Sequence, residues 1–319
     1  MRLSRRLVLT SLTAAACRPR TETVLLTFPE SYGHHLSQSL GHYATPVRAV
    51  YLQSYAKMME ALLAGDGHVA TAAYDAVLPL AAEGRDPVAF CSLALRPGIV
   101  LAAGDGITRI ADLRGRTIGI PGPGSSSHFL LNAILRRHGV DPNDAPTVGI
   151  GVAASAVAAV EQRKVDAAML TNLGFSTLRR RGANLHILAD PRDAAQSRHY
   201  FAVERLPSLC LVGRRQWLDS NPAAARAIVR AFLQSNRWMA AHQAAEIRAA
   251  LPEQAQAADA EADIAAIEAM RPTLDTDGRI ELASAQAAFA ITAASVARLQ
   301  PAKLDLMSTF TNAFLAERL

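Results

Sequence analysis

Between Pro121 and His128 the chain reads PGPGSSSH, a glycine-rich turn followed by three consecutive hydroxyls. Thr117 to Ile120 ahead of it is a β-branched run, and Phe129, Leu130, Ile134 and Leu135 behind it recur at three- and four-residue spacing. Asp112 to Gly139 therefore predicts strand, turn and helix, with Ser125, Ser126 and Ser127 at the helix N-terminus. Free N–H groups and the helix dipole favour a negative group there by roughly 0.3–1 kcal/mol, and by ~2 kcal/mol when partly buried. Serines at this position also cap helices without binding anything. No lysine follows the glycines, which argues against a nucleotide phosphate cradle.

The remaining candidates for chemistry are weaker. His34 and His35 beside Glu30 could ligate a metal, but adjacent residues of an extended segment face opposite sides, so no metal site is expected. Glu30 and Asp75 could act as paired acids, although loop carboxylates are usually solvated. Ser127-His128 lacks the GxSxG frame of a nucleophile elbow, and no catalytic residue and no cofactor is expected. Arg179-Arg180-Arg181 closes a helix before Gly182, where positive charge complements the dipole, and reads as a solvated helix end.

The first residues carry a different message. Met1 to Ala16 combines Arg2, Arg5 and Arg6, the apolar run Leu7 to Leu12 and the triplet Ala14-Ala15-Ala16, the three parts of an export signal peptide. Ser4 to Leu9 resembles the twin-arginine motif, with Val8 at the usual aromatic position. Cleavage after Ala16 is expected, and Cys17 is the alternative as a lipid anchor. The segment holds three of the 33 basic and none of the 28 acidic residues, so its removal lowers the net charge from +5 to +2. With no arginine–aromatic stripe, nucleic acid drops out as a partner. Cys91 and Cys210 sit in apolar strand-like runs and are expected as buried free thiols.

At 319 residues, half of them hydrophobic, the chain suggests two domains. Val24 to Phe28, Val47 to Leu52, His68 to Ala72 and Val88 to Leu93 read as strands separated by helices at Leu36 to Tyr43, Ser54 to Leu63 and Tyr74 to Ala82. Thr117 to Ile120, Thr147 to Ile150, Ala167 to Leu170 and Leu185 to Leu188 repeat the alternation. Such alternation predicts α/β lobes with mostly parallel sheets. Beyond residue 214 come alanine-rich helices: Ser220 to His242, Ala258 to Met270, Glu281 to Arg298 and Lys303 to Arg318. Ligands of open α/β sheets bind beyond the carboxyl ends of the strands, so the turns after the strands are the expected site.

The stretches MEALLAGDGHVATAAYDAVLPLA, IADLRGRTIGIPGPGSSSHFLLNAILRRHGVDP, SAVAAVEQRKVDAAML and LCLVGRRQWLDSNPAAARAIVRAFLQSNRWMAAH resemble periplasmic solute-binding proteins of ABC importers. More narrowly, they resemble the nitrate/sulfonate/taurine group, which includes binders of thiamine-pyrimidine precursors. The resemblance implies a type II periplasmic-binding-protein-like fold of two α/β lobes plus C-terminal helices. Residues 21–96 and 212–319 would form lobe one and 97–211 lobe two, with crossovers near Arg96-Pro97 and Leu206 to Cys210. It implies a periplasmic monomer that captures a small anionic organic solute and passes it to a membrane permease with its ATPase. Tyr32, Ser54, Tyr74, Ser125, Ser126, Ser127 and Asn172 would contact the ligand. Enzymes of thiamine-pyrimidine or menaquinone precursor type share the fold, and a ligand-presenting sensor is a further alternative. The chain departs from the group at Leu52-Gln53-Ser54, at Gly41 to Thr45 and at Thr171-Asn172-Leu173, all turns that set specificity.

Overall fold

The computed structural model of the protein describes residues 22–297, 299 and 304–315. The expected signal peptide and Cys17 lie outside these residues. The first sheet is built from β1 (Thr23–Thr27), β2 (Val47–Tyr51), β3 (Val69–Ala72) and β4 (Pro87–Ala94), with helices α1 (Tyr32–Ser39), α2 (Tyr55–Ala64) and α3 (Val77–Ala82) between them. The second contains β5 (Ile99–Ala103), β6 (Ile118–Ile120), β7 (Thr147–Gly149), β8 (Ala167–Thr171) and β9 (His186–Ala189). Its helices are α4 (Ser126–Arg137), α5 (Ala154–Glu161), α6 (Asn172–Arg180) and α7 (Ala194–Phe201). The chain then returns through β10 (Leu209–Arg214) to the first sheet. It ends in α8 (Arg215–Ser220), α9 (Pro222–Ala241), α10 (Ala244–Ala250), α11 (Ala260–Met270) and α12 (Leu282–Ala293).

Sheet order is β2-β1-β3-β10-β4 in one lobe and β7-β6-β8-β5-β9 in the other. One strand in each runs against the rest: β10 is antiparallel to β3 and β4, and β5 is antiparallel to β8 and β9. Connection length explains this. Only residues 95–98 join β4 to β5, and four residues span at most about 13 Å. The chain must leave the first sheet at its carboxyl edge and enter the second on the facing edge, so β5 points away from the crossing. Residues 202–208 bring it back under the same constraint, and β10 is reversed in turn.

Alternating strand residues feed two cores in each lobe. Leu26, Ala70, Ala72 and Val212 face α2 and α3 through Met58, Met59, Leu62 and Leu78, whereas Leu25, Val69, Phe90 and Leu211 face α9 through Ile228, Val229 and Phe232. Each fully buried leucine or phenylalanine of this kind contributes about 1.5–3 kcal/mol. In the second lobe Leu101, Ile118, Ile120 and Met169 pack on α4, and Val100, Ala102, Ala168 and Leu170 pack on α5 and α6. The core on α4 continues into lobe one through Ala285, Ala288 and Ile291 of α12. Cys91 and Cys210 are free and buried, and they belong to cores on opposite faces of one sheet. Side chains that leave a sheet on opposite faces cannot join in a disulfide.

Two expectations need correction. The segment His34-His35 is helical, because α1 begins at Tyr32 and is closed by Gly41 at φ 68°. The described part of Lys303 to Arg318 forms a short 3-10 turn, Leu306–Thr309, after which Phe310 bridges to Ala89 beside the first sheet. Asp305 accepts the Met307 amide at 3.0 Å and starts that turn, and Thr309, Thr311 and Asn312 are weak helix formers.

Candidate ligand cleft

Because the crossings are short, the carboxyl ends of the parallel strands of both lobes face one another. On the lobe-two side, Gly124 takes φ 73°, a backbone state open to glycine at little cost, and turns the chain into α4. Ser125 is extended and caps the helix, its Oγ accepting from the His128 amide at 3.3 Å. The Gly124 amide donates to His128 Nδ1 at 3.1 Å, and burial holds that imidazole below its ordinary range, hence neutral. Ser127 is half-buried in the first helical turn.

Ser126 reaches across the cleft. Its hydroxyl donates to Asp75 Oδ1 at 2.6 Å. Asp75 belongs to the 3-10 turn Tyr74–Ala76 that follows β3, so this bond joins lobe two to lobe one. Burial pushes the Asp75 carboxyl up to about 6, opposed by the Ser126 hydroxyl and the Ala76 amide, which favour the ionised form. Asp75 is thus partly withdrawn from solvent and bonded to Ser126, a correction to the expectation of solvated carboxylates that does not extend to the exposed Glu30. Phe28 and Tyr55, both partly exposed, meet edge to face with centroids 5.1 Å apart. Burial and then the Asp75 charge raise the Tyr55 phenol.

The other sequence-derived residues are distributed unevenly. Ser54 caps α2, accepting from the Lys57 amide at 3.3 Å. Tyr74 is fully buried, its hydroxyl 2.5 Å from Thr309 Oγ1 and its ring against Phe310, so its side chain belongs to the core of lobe one. Tyr32 donates to Asp263 of α11 at 2.8 Å. Asn172 accepts from Arg192 Nη1 at 3.1 Å where α6 begins. The serine turn thus meets Asp75, whereas Tyr32 and Tyr74 are engaged within lobe one. His34 bonds the Tyr43 hydroxyl at 2.9 Å, and burial lowers it to about 4; His35 donates to the Pro29 carbonyl at 2.6 Å.

Three features escaped the sequence. Arg192, in the turn after β9, is paired with Asp190 at 2.6 Å and stacked over Phe175 at 5.8 Å. Its place after a strand in the stretch ADPRD was the available signal. Ala153 holds φ 49° just before α5, a strained state for a residue with a Cβ, and nothing in its type announced it. Arg180 is an inter-lobe contact instead of a solvated helix end: it pairs with Asp259 at 3.4 Å and with Glu261, next to and on α11. On the opposite side Asn132 and Arg136 of α4 donate to Ser295 Oγ at 3.2 Å and to the Ala294 carbonyl at 2.9 Å, just past α12. Contacts thus join the lobes on both sides of the cleft.

This architecture has solved counterparts. A protein from Bordetella bronchiseptica RB50 superposes with a TM-score of 0.82 at 27% identity, over 92% of this chain and 95% of that one. The periplasmic aliphatic sulphonate binding protein SsuA from Escherichia coli gives 0.68 at 20% identity, over 90% and 96%. The alkanesulfonate-binding protein SsuA from Xanthomonas axonopodis pv. citri, bound to MOPS, gives 0.70 at 17% identity, over 93% and 99%. The fold is that of the periplasmic binding proteins. A search of curated proteins finds no match. The NMT1/THI5 like family model matches residues 38–246, most of the chain and both sides of the cleft, and the protein belongs to that family.

Proposed function

We propose that the protein is an exported solute-binding protein of ABC import, which captures a small organic solute bearing an anionic group between its lobes and delivers it to a membrane permease. The observation that carries this reading is the Ser126–Asp75 bond at 2.6 Å, because it brings turns from both lobes within reach of one small molecule. Solute-contacting groups on both lobes favour the closed form and so couple binding to closure. Ser125, Ser127 and the first amides of α4 receive the anionic group, and Ser126 joins them when its hydroxyl turns from Asp75 to the solute. Ser54 and Asn172 line the two flanks of the cleft, whereas the buried Tyr74 and the Asp263-bound Tyr32 shape it from behind. Capture is favoured over catalysis because Ser126 donates to a carboxylate and the Nδ1 of His128 accepts a backbone amide, which leaves no serine–imidazole pair at the turn.

A micromolar dissociation constant corresponds to about 8.2 kcal/mol. Two or three charge-assisted hydrogen bonds at ~1.5–3 kcal/mol each supply much of it, and buried carbon the rest. A thermal-shift screen of sulfonates, aromatic carboxylates, nitrate and pyrimidines should find a stabilising ligand. Replacing Ser125, Ser126 and Ser127 together by alanine should then weaken its binding by ~2–4 kcal/mol in calorimetry. The loss of one cap should cost only ~1 kcal/mol of stability. Unchanged affinity in the triple variant sinks the anion-site assignment.

A further inference from the structure

Carboxylates taken out of water are paired with cations, because an unpaired buried charge is costly. Three carboxylates of this molecule follow that rule closely. Asp263, fully buried, has Arg248 at 3.2 Å; Asp275 has Arg205 at 3.3 Å; Asp190 has Arg192 at 2.6 Å. Asp75 breaks the pattern. It is only partly exposed, at the meeting of the lobes, its surroundings disfavour the charged form, its partners are the Ser126 hydroxyl and the Ala76 amide, and no cation acts on it among the described residues. The charged groups on the lobe-two turns are already committed: Arg192, after β9, is neutralised by Asp190, and His128 is held neutral at the start of α4.

A carboxylate with no cation of its own stands where the lobes meet. A solute that is only an anion would bring a second negative charge beside it. A cationic group would supply the missing partner. The neighbouring lobe-one turns after β1 and β2 also carry Phe28 and Tyr55, packed edge to face, and the charge of Asp75 is felt at Tyr55; the faces of such rings attract cations. Resting on the reading of the serine turn as an anion site, we propose that Asp75 determines specificity by demanding that the solute carry an ammonium or amidinium a few bonds from its anionic group. Asp75 then acts as counter-ion on lobe one while α4 receives the anion on lobe two, and closure requires both ends of the solute. Because Ser126 and Asp75 are in direct contact, the two charges of the solute must be close together.

The test compares probes that differ only by an amino group and that place it a few bonds from the anion: propane-1-sulfonate with 3-aminopropane-1-sulfonate, and butanoate with 4-aminobutanoate. Calorimetry at about pH 8 keeps Asp75 ionised. In the wild-type protein the amino member of at least one pair should bind about tenfold tighter or better than its partner, the worth of one charge-assisted bond. Asp75→Asn, an isosteric change that keeps an acceptor for Ser126, should abolish that preference while leaving or improving binding of the plain anion. Plain anions that bind the wild-type protein as tightly as their amino partners overturn the inference and leave the anion site standing. A preference that survives Asp75→Asn removes Asp75 from the role. If no member of either pair binds either protein, the anion-site reading falls together with the inference. The wild-type comparison decides the question even if the variant does not fold.

Discussion

At the scale of single residues, Asp75 should leave a signature in stability as well as in binding. Its carboxyl is raised from 3.8 to about 6, so between those values the folded protein holds a proton that the unfolded chain has released. Stability from this group is present at low pH and is lost as pH rises through about 6, by at most roughly 2–3 kcal/mol. Tyr55 and Cys210, which sense the same charge, are themselves raised and stay neutral throughout that window. Urea denaturation of wild type and Asp75→Asn from about pH 4 to pH 7 should give curves that diverge in this sense. Parallel curves would show that Asp75 is better solvated than its surroundings imply. The serine turn was legible because glycine, proline and hydroxyls act locally. The value of Asp75 was not, because its partner Ser126 lies 51 residues away and burial is a property of the fold.

At the scale of elements, the helices that clasp the cleft differ in how they do so. The α6–α11 contact carries exposed ion pairs from Arg180 to Asp259 and Glu261, whereas α12 packs on α4 through small apolar side chains. Exposed pairs contribute about 0–1 kcal/mol, so Arg180→Ala should hardly change the unfolding midpoint. It should instead shift the unliganded protein toward open forms, read as a larger radius of gyration in small-angle scattering. An unchanged radius would mean that the close packing of α6 on α11 and of α12 on α4 sets closure without the ion pairs. The alternating runs read from sequence correspond to β1–β4 and β6–β9, because β-branched strands between helices carry a strong period. Ile99 to Ala103 escaped as β5, since a short apolar run after Pro97-Gly98 has no period of its own. Lys303 to Arg318 falls in the alanine-rich region that predicts helices, but among its described residues the weak helix formers Thr309, Thr311 and Asn312 leave only the turn Leu306–Thr309.

At the scale of the whole molecule, the two crossings between the sheets lie together, the Leu206 amide donating to the Leu95 carbonyl at 2.6 Å. Arg205 in the return crossing reaches Asp275 at 3.3 Å and Asp277 at 3.0 Å, and Arg96 in the first donates to the Arg192 carbonyl at 2.6 Å. Asp275 is buried, so Arg205→Met strips a carboxylate of its cation and should cost about 3 kcal/mol in urea denaturation, with Arg205→Lys restoring part. A loss below about 1 kcal/mol would mean that the amides of Asp277 and Gly278 suffice for Asp275. The reversed strand β10 lies between β3 and β4, and this position has a consequence in time. Residues 99–201 are contiguous and supply a whole sheet with both its helical layers, but the other sheet keeps a gap until residue 209 arrives. Lobe two can therefore fold first, while β3 and β4 wait with open edges that pair with whatever strand they meet. Pulsed hydrogen exchange during refolding should protect Ile118 and Ala168 before Leu25 and Val212. A chain truncated near residue 205 should keep an ordered lobe two and aggregate through its unfinished partner.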